Sequence, residues 1–336
     1  MNDRPIFLLG AHKSGTTLLR SIFDGHPDLF VVPFESHFFQ NCCFWVDYDY
    51  RREQPRKVSR ETIINRFGDR LRHLNNTDDR LGDSPANFTI EVSRFLEVFG
   101  RFSSEMNNRE RFTLLMEGYH QALYDRPLPE NKRIVEKSVE HAEFALFLQQ
   151  MFPQARFIHI VRNPYANIVS LRKAKVLQSG FPLVFRMLNS LYNNYYHLYR
   201  NRQLIDDYYL VRYEDLLSDP QEEINKMVEF LDLRFDKSLL EPTKFGAPWS
   251  GNSATGRDLS GFDQSRIDSW KREISAMEIL LLNRLFDYPF EEFGYQKLPD
   301  PPMRRFLEKV NGEGIRRYLV NRLWLAYLSY NPGNEI

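Results

Sequence analysis

The sequence predicts an α/β protein with a mostly parallel central sheet and helices on both faces. Short apolar runs alternate with segments of helical periodicity along the 336 residues, which is the pattern of βαβ units. A glycine-rich turn follows the first run, and polar side chains follow several later runs. The carboxyl ends of parallel strands share one edge of a sheet, where ligands bind. The pattern therefore predicts one site at that edge.

The first turn has the composition of an anion-binding loop. It is Gly10–Thr17, between a short apolar run and a helical pattern. Gly10 and Gly15 permit backbone angles that let successive N–H groups converge on one oxyanion at the positive end of the next helix. Lys13 adds a positive charge. Hydroxyl donors come from Ser14, Thr16 and Thr17.

This loop departs from the G-x-x-x-x-G-K-[ST] pattern that binds nucleoside triphosphates. Its glycine spacing matches, but Thr16 occupies the lysine position and the lysine stands earlier, at Lys13. A kinase or ATPase without that lysine loses its main contact with the β- and γ-phosphates. The residues instead resemble the 5′-phosphosulfate loop of the sulfotransferases, whose donor is 3′-phosphoadenosine 5′-phosphosulfate (PAPS). The resemblance implies donor contacts by Lys13, Ser14, Gly15, Thr16 and Thr17.

Composition narrows the partners and the compartment. Lys plus Arg equals Asp plus Glu at 45 each, so no global field recruits nucleic acid or an acidic membrane. Cys42 and Cys43 are neighbours, which disfavours a disulfide between them and favours two small buried side chains. Neither a signal peptide nor a membrane span is evident. We therefore expect a soluble, cytoplasmic protein. The resemblance implies a small-molecule or glycan acceptor.

Glu35 and His37 follow the second predicted strand, Leu29–Val32. A carboxylate and an imidazole among aromatic side chains are candidates for proton transfer. An equally good interpretation is that Glu35 caps a helix beginning near Ser36. The stretch Glu35-Ser36-His37-Phe38-Phe39 resembles the E-x-H-F-F segment of the carbohydrate sulfotransferases. That resemblance implies Glu35 as general base, with His37 assisting.

Residues 41–130 predict a helical insertion that caps the sheet, because apolar side chains recur at helical spacing in 63–71 and 112–123. We expect acceptor specificity to reside there, although its sequence names no acceptor. A third strand, Ile134–Glu136, then ends at Lys137. Taken alone, Lys137 fits an exposed surface position, since lysine is mostly exposed. At this edge of the sheet it is also a candidate to assist at the sulfuryl oxygens or the acceptor.

A second strong motif follows the fourth strand, Arg156–Val161. Arg162 stands at the strand end, and Asn163 and Pro164 open a helix that carries Ser170. Arginine can clamp a phosphate with paired N–H groups, and a hydroxyl on the adjoining helix can join it. The segment 162–170 resembles the sulfotransferase motif that holds the donor's 3′-phosphate through its arginine and serine.

The resemblance implies the remaining donor contacts in residues 212–271. A fifth strand leads into Arg212-Tyr213-Glu214-Asp215-Leu216, and in the same family the tyrosine of such a segment lies close to the adenine. A half-buried core tyrosine is the alternative for Tyr213. The glycine- and serine-rich segment 245–262 resembles the family's loop over the donor nucleotide, which implies donor contacts by Arg257 and Lys271.

We expect residues 1–300 to form a single domain and residues 301–336 an amphipathic helical tail. Within the tail, 303–330 mixes arginines with aromatic and aliphatic side chains. Such a helix can rest on a membrane surface or on a partner subunit. Packing on its own domain is the simpler interpretation.

The resemblance implies in-line transfer of the sulfuryl group from PAPS to an acceptor hydroxyl or amine, without a metal ion. Glu35 would remove the acceptor's proton and Lys13 would stabilise the leaving nucleotide. Two alternatives stay open: a P-loop small-molecule kinase with an aberrant loop, which would need Mg²⁺ and ATP, and a nucleotide-binding module without catalysis. The acceptor, which could be a carbohydrate, and the oligomeric state are not determined by the sequence.

Overall fold

A five-stranded parallel sheet forms the centre of the computed structural model, which describes residues 3–42, 58–76, 88–179, 184–249, 251 and 261–301. The spatial order of the strands is β2-β3-β1-β4-β5, and every pairing in this sheet is parallel. The fold class predicted from the sequence is confirmed. The strands are β1 (Ile6–Gly10), β2 (Leu29–Val31), β3 (Arg133–Lys137), β4 (Arg156–Val161) and β5 (Tyr208–Arg212).

Helices cover both faces of this sheet, and residues 243–248 form a separate short antiparallel ribbon. The ribbon pairs β6 (Thr243–Lys244) with β7 (Ala247–Pro248). No helix among the described residues is long and apolar enough to cross a membrane. The helices are α1 (Thr16–Phe23), α2 (Phe38–Asn41), α3 (Arg60–Asn76), α4 (Val92–Phe99), α5 (Asn108–Tyr124), α6 (His141–Met151), α7 (Pro164–Ser179), α8 (Val184–Leu204), α9 (Tyr213–Ser218), α10 (Pro220–Leu231), α11 (Ala276–Leu285) and α12 (Asp287–Glu292).

The first strand is buried on both faces, which explains its uninterrupted apolar sequence. Ile6 and Leu8 belong to the core beneath α1 and α10. Phe7 and Leu9 point to the opposite core, where Phe7 meets Phe112 of α5 edge to face at 5.8 Å. Alternating side chains of one strand therefore serve two separate cores.

The described parts of the insertion, residues 58–76 and 88–130, contain α3, α4 and α5. Their aromatic side chains join the core on the Phe7 face of the sheet. Phe95 stacks on Phe99 at 5.1 Å and on Tyr119 at 5.5 Å. This packing attaches the insertion to the sheet. The segments 43–57 and 77–87 lie outside the described residues, as does Cys43, while Cys42 is buried as expected.

The strand order places two loop-bearing strand ends side by side. From β1 the chain crosses to β2 at one edge, whereas from β3 it crosses over β1 to β4. Connections that leave neighbouring strands in opposite directions open a crevice at their carboxyl ends. Leu8 of β1 pairs with Lys137 of β3, so the crevice begins directly beyond Gly10 and Lys137.

A fully buried contact between Glu136 and His141 joins β3 to α6 at this crevice. Glu136 and His141 are both 0% exposed, and His141 Nδ1 lies 2.6 Å from Glu136 Oε2. The other oxygen, Oε1, accepts from the Ser138 hydroxyl at 2.6 Å and from the Ser36 N–H at 3.1 Å. Burial alone would raise the pKa of Glu136, but His141, Ser138 and Ser36 lower it to about 2. The carboxylate is therefore ionised at neutral pH.

We predict that Glu136→Gln makes stability less sensitive to acid. Because the pKa of Glu136 falls from 4.5 to about 2 on folding, its contribution is present above about pH 4.5 and is lost as the pH approaches 2. The variant should be less stable at pH 7 by about 3 kcal/mol, with the difference shrinking in acid. Urea denaturation between pH 7 and 2.5 measures this. The exposed Glu229→Gln should follow the wild type; a constant gap between Glu136→Gln and wild type would contradict the assignment.

Candidate active site

The loop Gly10–Thr17 holds a strained turn at the head of α1. Lys13 has φ 64° and Gly15, the N-cap residue of α1, has φ 112°, both in the left-handed region. A Cβ atom on Gly15 would lie 2.4 Å from Cδ2 of Tyr213, so glycine is required there by backbone angle and by contact. Inside the loop, the N–H and hydroxyl groups of Ser14 both donate to the Ala11 carbonyl, at 3.1 and 2.8 Å. Thr16 and Thr17 are buried in the first turn of α1.

Arg162 is attached to this loop directly. Its Nη1 donates to the Lys13 carbonyl at 2.9 Å, and its guanidinium carbon lies 4.4 Å from the centre of the Tyr213 ring. Since Tyr213 in turn packs on Gly15, three predicted donor-binding elements from three strand ends form one cluster. Tyr213 itself is buried. The burial fits the core tyrosine of one interpretation, and the contact of Tyr213 with the donor adenine stays a prediction.

The helix behind Arg162 begins as its sequence predicts. Asn163 Oδ1 accepts the Tyr165 N–H at 2.9 Å, and the N–H of Asn163 donates to Glu214 Oε1 at 3.0 Å. Glu214 also accepts from the Tyr295 hydroxyl at 2.8 Å. These contacts fix α7 against the start of α9. Ser170 lies farther along α7 and is partly buried.

Glu35 meets Lys137 on the β1–β3 side of the crevice. Lys137 Nζ donates to Glu35 Oε1, and the two side chains are 3% and 11% exposed. The surface position that Lys137 fits when taken alone is therefore wrong. Glu35 does not cap the next helix either, because α2 begins at Phe38 and His37 is its N-cap residue. The ion pair leaves the second carboxylate oxygen, Oε2, facing His37 Nε2 at 3.4 Å.

His37 lies between two carboxylates. Besides Glu35, its Nδ1 is 3.5 Å from Glu140 Oε2. Burial opposes protonation of His37, but Glu140 and Glu35 outweigh burial and the nearby Arg70, so the pKa of His37 is raised. Burial likewise opposes ionisation of Glu140, yet His37 and His12 hold the pKa of that carboxyl well below its ordinary value. Both directions favour an imidazolium held between carboxylates at neutral pH.

The same three side chains have the spacing of a possible cation site. The side-chain ligand atoms of Glu35, His37 and Glu140 all lie within 4.8 Å of one another. Positive charge already borders them, since Lys137 donates to Glu35. The metal-free reaction expected from the sequence stays a prediction.

Sequence reasoning did not identify the residues that support Glu35. Arg70 of α3 donates to the Glu35 carbonyl through Nε at 3.2 Å and Nη2 at 2.8 Å. Glu136 accepts from the Ser36 N–H, and Glu140 faces His37. A charged residue on a helical stretch is usually solvent-facing, so the spacing of Arg70 gave no signal of this role.

Lys271 and Arg257 are the other two donor contacts predicted from the sequence. Lys271 is exposed in a short 3₁₀-helix, Ser269–Arg272, and its ammonium pairs with Asp268 at 2.8 Å. The adjacent Trp270 stacks on Tyr165 of α7 at 5.1 Å, which places this segment beside the helix that carries Ser170. Arg257 and the tail segment 303–330 are not among the described residues. Donor binding by Lys271 and Arg257 stays a prediction.

Comparison with curated proteins finds sulfotransferases among the relatives. An uncharacterised Aquifex aeolicus protein is 23% identical over 331 residues, which are 95% of this chain and 36% of that protein. An omega-hydroxy-beta-dihydromenaquinone-9 sulfotransferase of Mycobacterium bovis is 34% identical over 113 residues, 30% of this chain and 29% of that protein. A protein-tyrosine sulfotransferase of Drosophila melanogaster is 24% identical over 250 residues, 71% and 40% respectively. The chain thus matches well under half the length of each relative.

Solved structures share the fold. The sulfotransferase domain of the Synechococcus PCC 7002 olefin synthase superposes with a TM-score of 0.54 at 20% identity, over 89% of this chain and 96% of that one. The sulfotransferase domain of the curacin biosynthetic pathway gives 0.51 at 23% identity, over 88% and 99%. A protein-family model described as the sulfotransferase family matches residues 5–237. Since that match covers more than half of the sequence, the chain belongs to the sulfotransferase family.

Proposed function

We propose that this protein transfers the sulfuryl group of PAPS to an acceptor hydroxyl. The observation that carries the proposal is the convergence of four segments at one crevice. Arg162 donates to the Lys13 carbonyl in the loop. Lys137, on the strand that pairs with β1, donates to Glu35. Anion-binding groups and a candidate base are thereby brought to one edge of the sheet, where ligands of such folds bind.

The proposed PAPS-binding end of the crevice has hydrogen-bond donors that suit phosphate and sulfate oxygens. The loop turns its backbone at the head of α1, where the helix dipole favours negative charge. The Nε of Arg162 is buried without a hydrogen-bond partner among the described residues. Buried donors are normally paired, so an anionic ligand at Arg162 would remove this exception. We assign that position to the donor's 3′-phosphate, with Ser170 on the adjoining helix.

In the proposed reaction the acceptor hydroxyl donates its proton to Glu35 Oε2 as its oxygen attacks sulfur. The bond between sulfur and the bridging oxygen breaks in line, and 3′-phosphoadenosine 5′-phosphate (PAP) leaves. Lys13 stabilises the charge that develops on the leaving phosphate. Because Lys137 bonds to Oε1, Oε2, which lies 3.4 Å from His37 Nε2, is the oxygen left to accept the proton. Lys137 and His37 supply positive charge beside the transferring group.

The names of the relatives support a hydroxyl acceptor over an amine. One is named for protein tyrosine and another for an omega-hydroxylated menaquinone, and both acceptors present a hydroxyl group. The resemblance of residues 35–39 to the carbohydrate sulfotransferases adds sugars to this class. The described insertion, packed over the sheet beside Glu35, is the part of the chain that would select among them.

Replacing the base should stop transfer but spare donor binding. In Glu35→Gln the amide keeps the shape of the carboxylate but cannot accept the proton, so we expect the rate to fall by about 10²–10⁴-fold. The assay follows PAP release from PAPS, with water, a tyrosine peptide and an oligosaccharide as acceptors. Calorimetry should show an unchanged Kd for PAP. Glu117→Gln, on the outer part of α5, is the matched control; a fully active Glu35→Gln would remove Glu35 from the mechanism.

The Arg162 assignment predicts a difference between two ligands. Removing a charge-assisted contact costs about 1.5–3 kcal/mol, so Arg162→Ala should weaken PAP binding by roughly 10–150-fold. Adenosine 5′-phosphosulfate lacks the 3′-phosphate and should lose much less. Both ligands will share any loss caused by loosening the loop at Lys13, so the ratio of the two Kd changes is the readout. Equal losses of affinity for the two ligands would contradict the assignment of Arg162 to the 3′-phosphate.

A further inference from the structure

We propose that Arg70, in the helical insertion, is a positioning residue that holds the base Glu35 in place. This inference rests on the proposed role of Glu35. Arg70 touches neither the Glu35 carboxylate nor any reacting atom; its Nε and Nη2 donate to the Glu35 backbone carbonyl at 3.2 and 2.8 Å. This forked contact connects the insertion to the backbone of the proposed base.

Three residues hold Glu35 and the peptide group that follows it. Lys137 donates to the Glu35 carboxylate, and Arg70 donates to the Glu35 backbone carbonyl. Glu136 accepts from the N–H of Ser36 at 3.1 Å. Glu136 and Lys137 are consecutive residues of β3, so two of the three contacts come from the sheet. The third comes from α3. The Glu35 side chain and the peptide group that follows it are therefore oriented by contacts from both the sheet and α3.

The segment needs such contacts because no regular element fixes it. β2 is a three-residue strand at the end of the sheet order, and Glu35 lies beyond its last residue. His37 then adopts φ 46°, a left-handed conformation that costs a non-glycine residue about 1–2 kcal/mol. A strained segment outside regular secondary structure keeps one conformation only when its surroundings determine it.

Arg70 is well placed to supply this constraint. Its helix is anchored by Phe67, Leu71 and Leu74, which are buried in the core shared with β1. The planar guanidinium presents two N–H groups to one carbonyl, which fixes direction as well as distance. Displacement of a catalytic group by about 1 Å can cost about 10²-fold in rate. Movement of α3 would therefore reach the base directly.

The test compares four variants by PAP release from PAPS, with water as the acceptor present in every assay. Arg70→Ala should lower kcat by about 10–100-fold, while the Kd for PAP stays within about twofold of wild type. Arg70→Lys should recover part of the rate, because one ammonium can still donate to the carbonyl. Adding Arg70→Ala to Glu35→Gln should change the remaining rate little, since Arg70 acts through Glu35. Arg72→Ala, whose guanidinium pairs with Asp69 at the surface at 2.6 Å, is the control and should keep full activity.

Three results would overturn the inference. A fully active Arg70→Ala would show that the contact is dispensable. An equal loss of PAP affinity would indicate general damage to the site. A full further loss in the Glu35→Gln background would show that Arg70 acts on the reacting groups independently. An active Glu35→Gln single variant refutes the proposed base itself, and this result is obtained without any change at Arg70.

Discussion

The ion pair between Lys137 and Glu35 is the interaction on which the rest of the site depends. Both groups are almost completely removed from water, and a buried charge is costly unless an opposite charge meets it. Each residue therefore requires the other. Their bond joins the end of β3 to the segment after β2, and Glu35 Oε2 faces His37 Nε2. The fixed orientation of one carboxylate is what makes a base of Glu35 in the proposed reaction.

In the proposed reaction, the donor and acceptor sides of the crevice are built from different parts of the chain. The loop Gly10–Thr17, Arg162 and Tyr213 follow sheet strands and form one contact cluster. Glu35 stands where this sheet scaffold meets the helical insertion, bonded to Lys137 from one and to Arg70 from the other. Under the proposed function, such a division would let the insertion select the acceptor independently of the proposed donor-binding cluster.

The sequence predicts the sheet and the donor cluster because their signals are local. Apolar runs, glycine spacing and the capping residue Asn163 each determine structure within a few residues of their own positions. The support of Glu35 is not local: Lys137 is separated from it by 102 positions and Arg70 by 35. Nothing in the periodicity of α3 shows that one arginine turns toward a backbone carbonyl. Lys137 taken alone even predicts a surface position, and only its distant partner explains its burial.

The most direct test of the central claim is calorimetric titration of the protein with PAP in the presence of EDTA and, separately, with ATP plus Mg²⁺. A sulfotransferase loop with Lys13 in place of the kinase lysine should bind PAP with a Kd of about 1 μM or lower, equivalent to about −8 kcal/mol, without any divalent cation. Binding of ATP with Mg²⁺ should be at least about tenfold weaker, a difference of about 1.4 kcal/mol. Preference for ATP with Mg²⁺ over PAP would contradict the account and assign the loop to phosphoryl transfer.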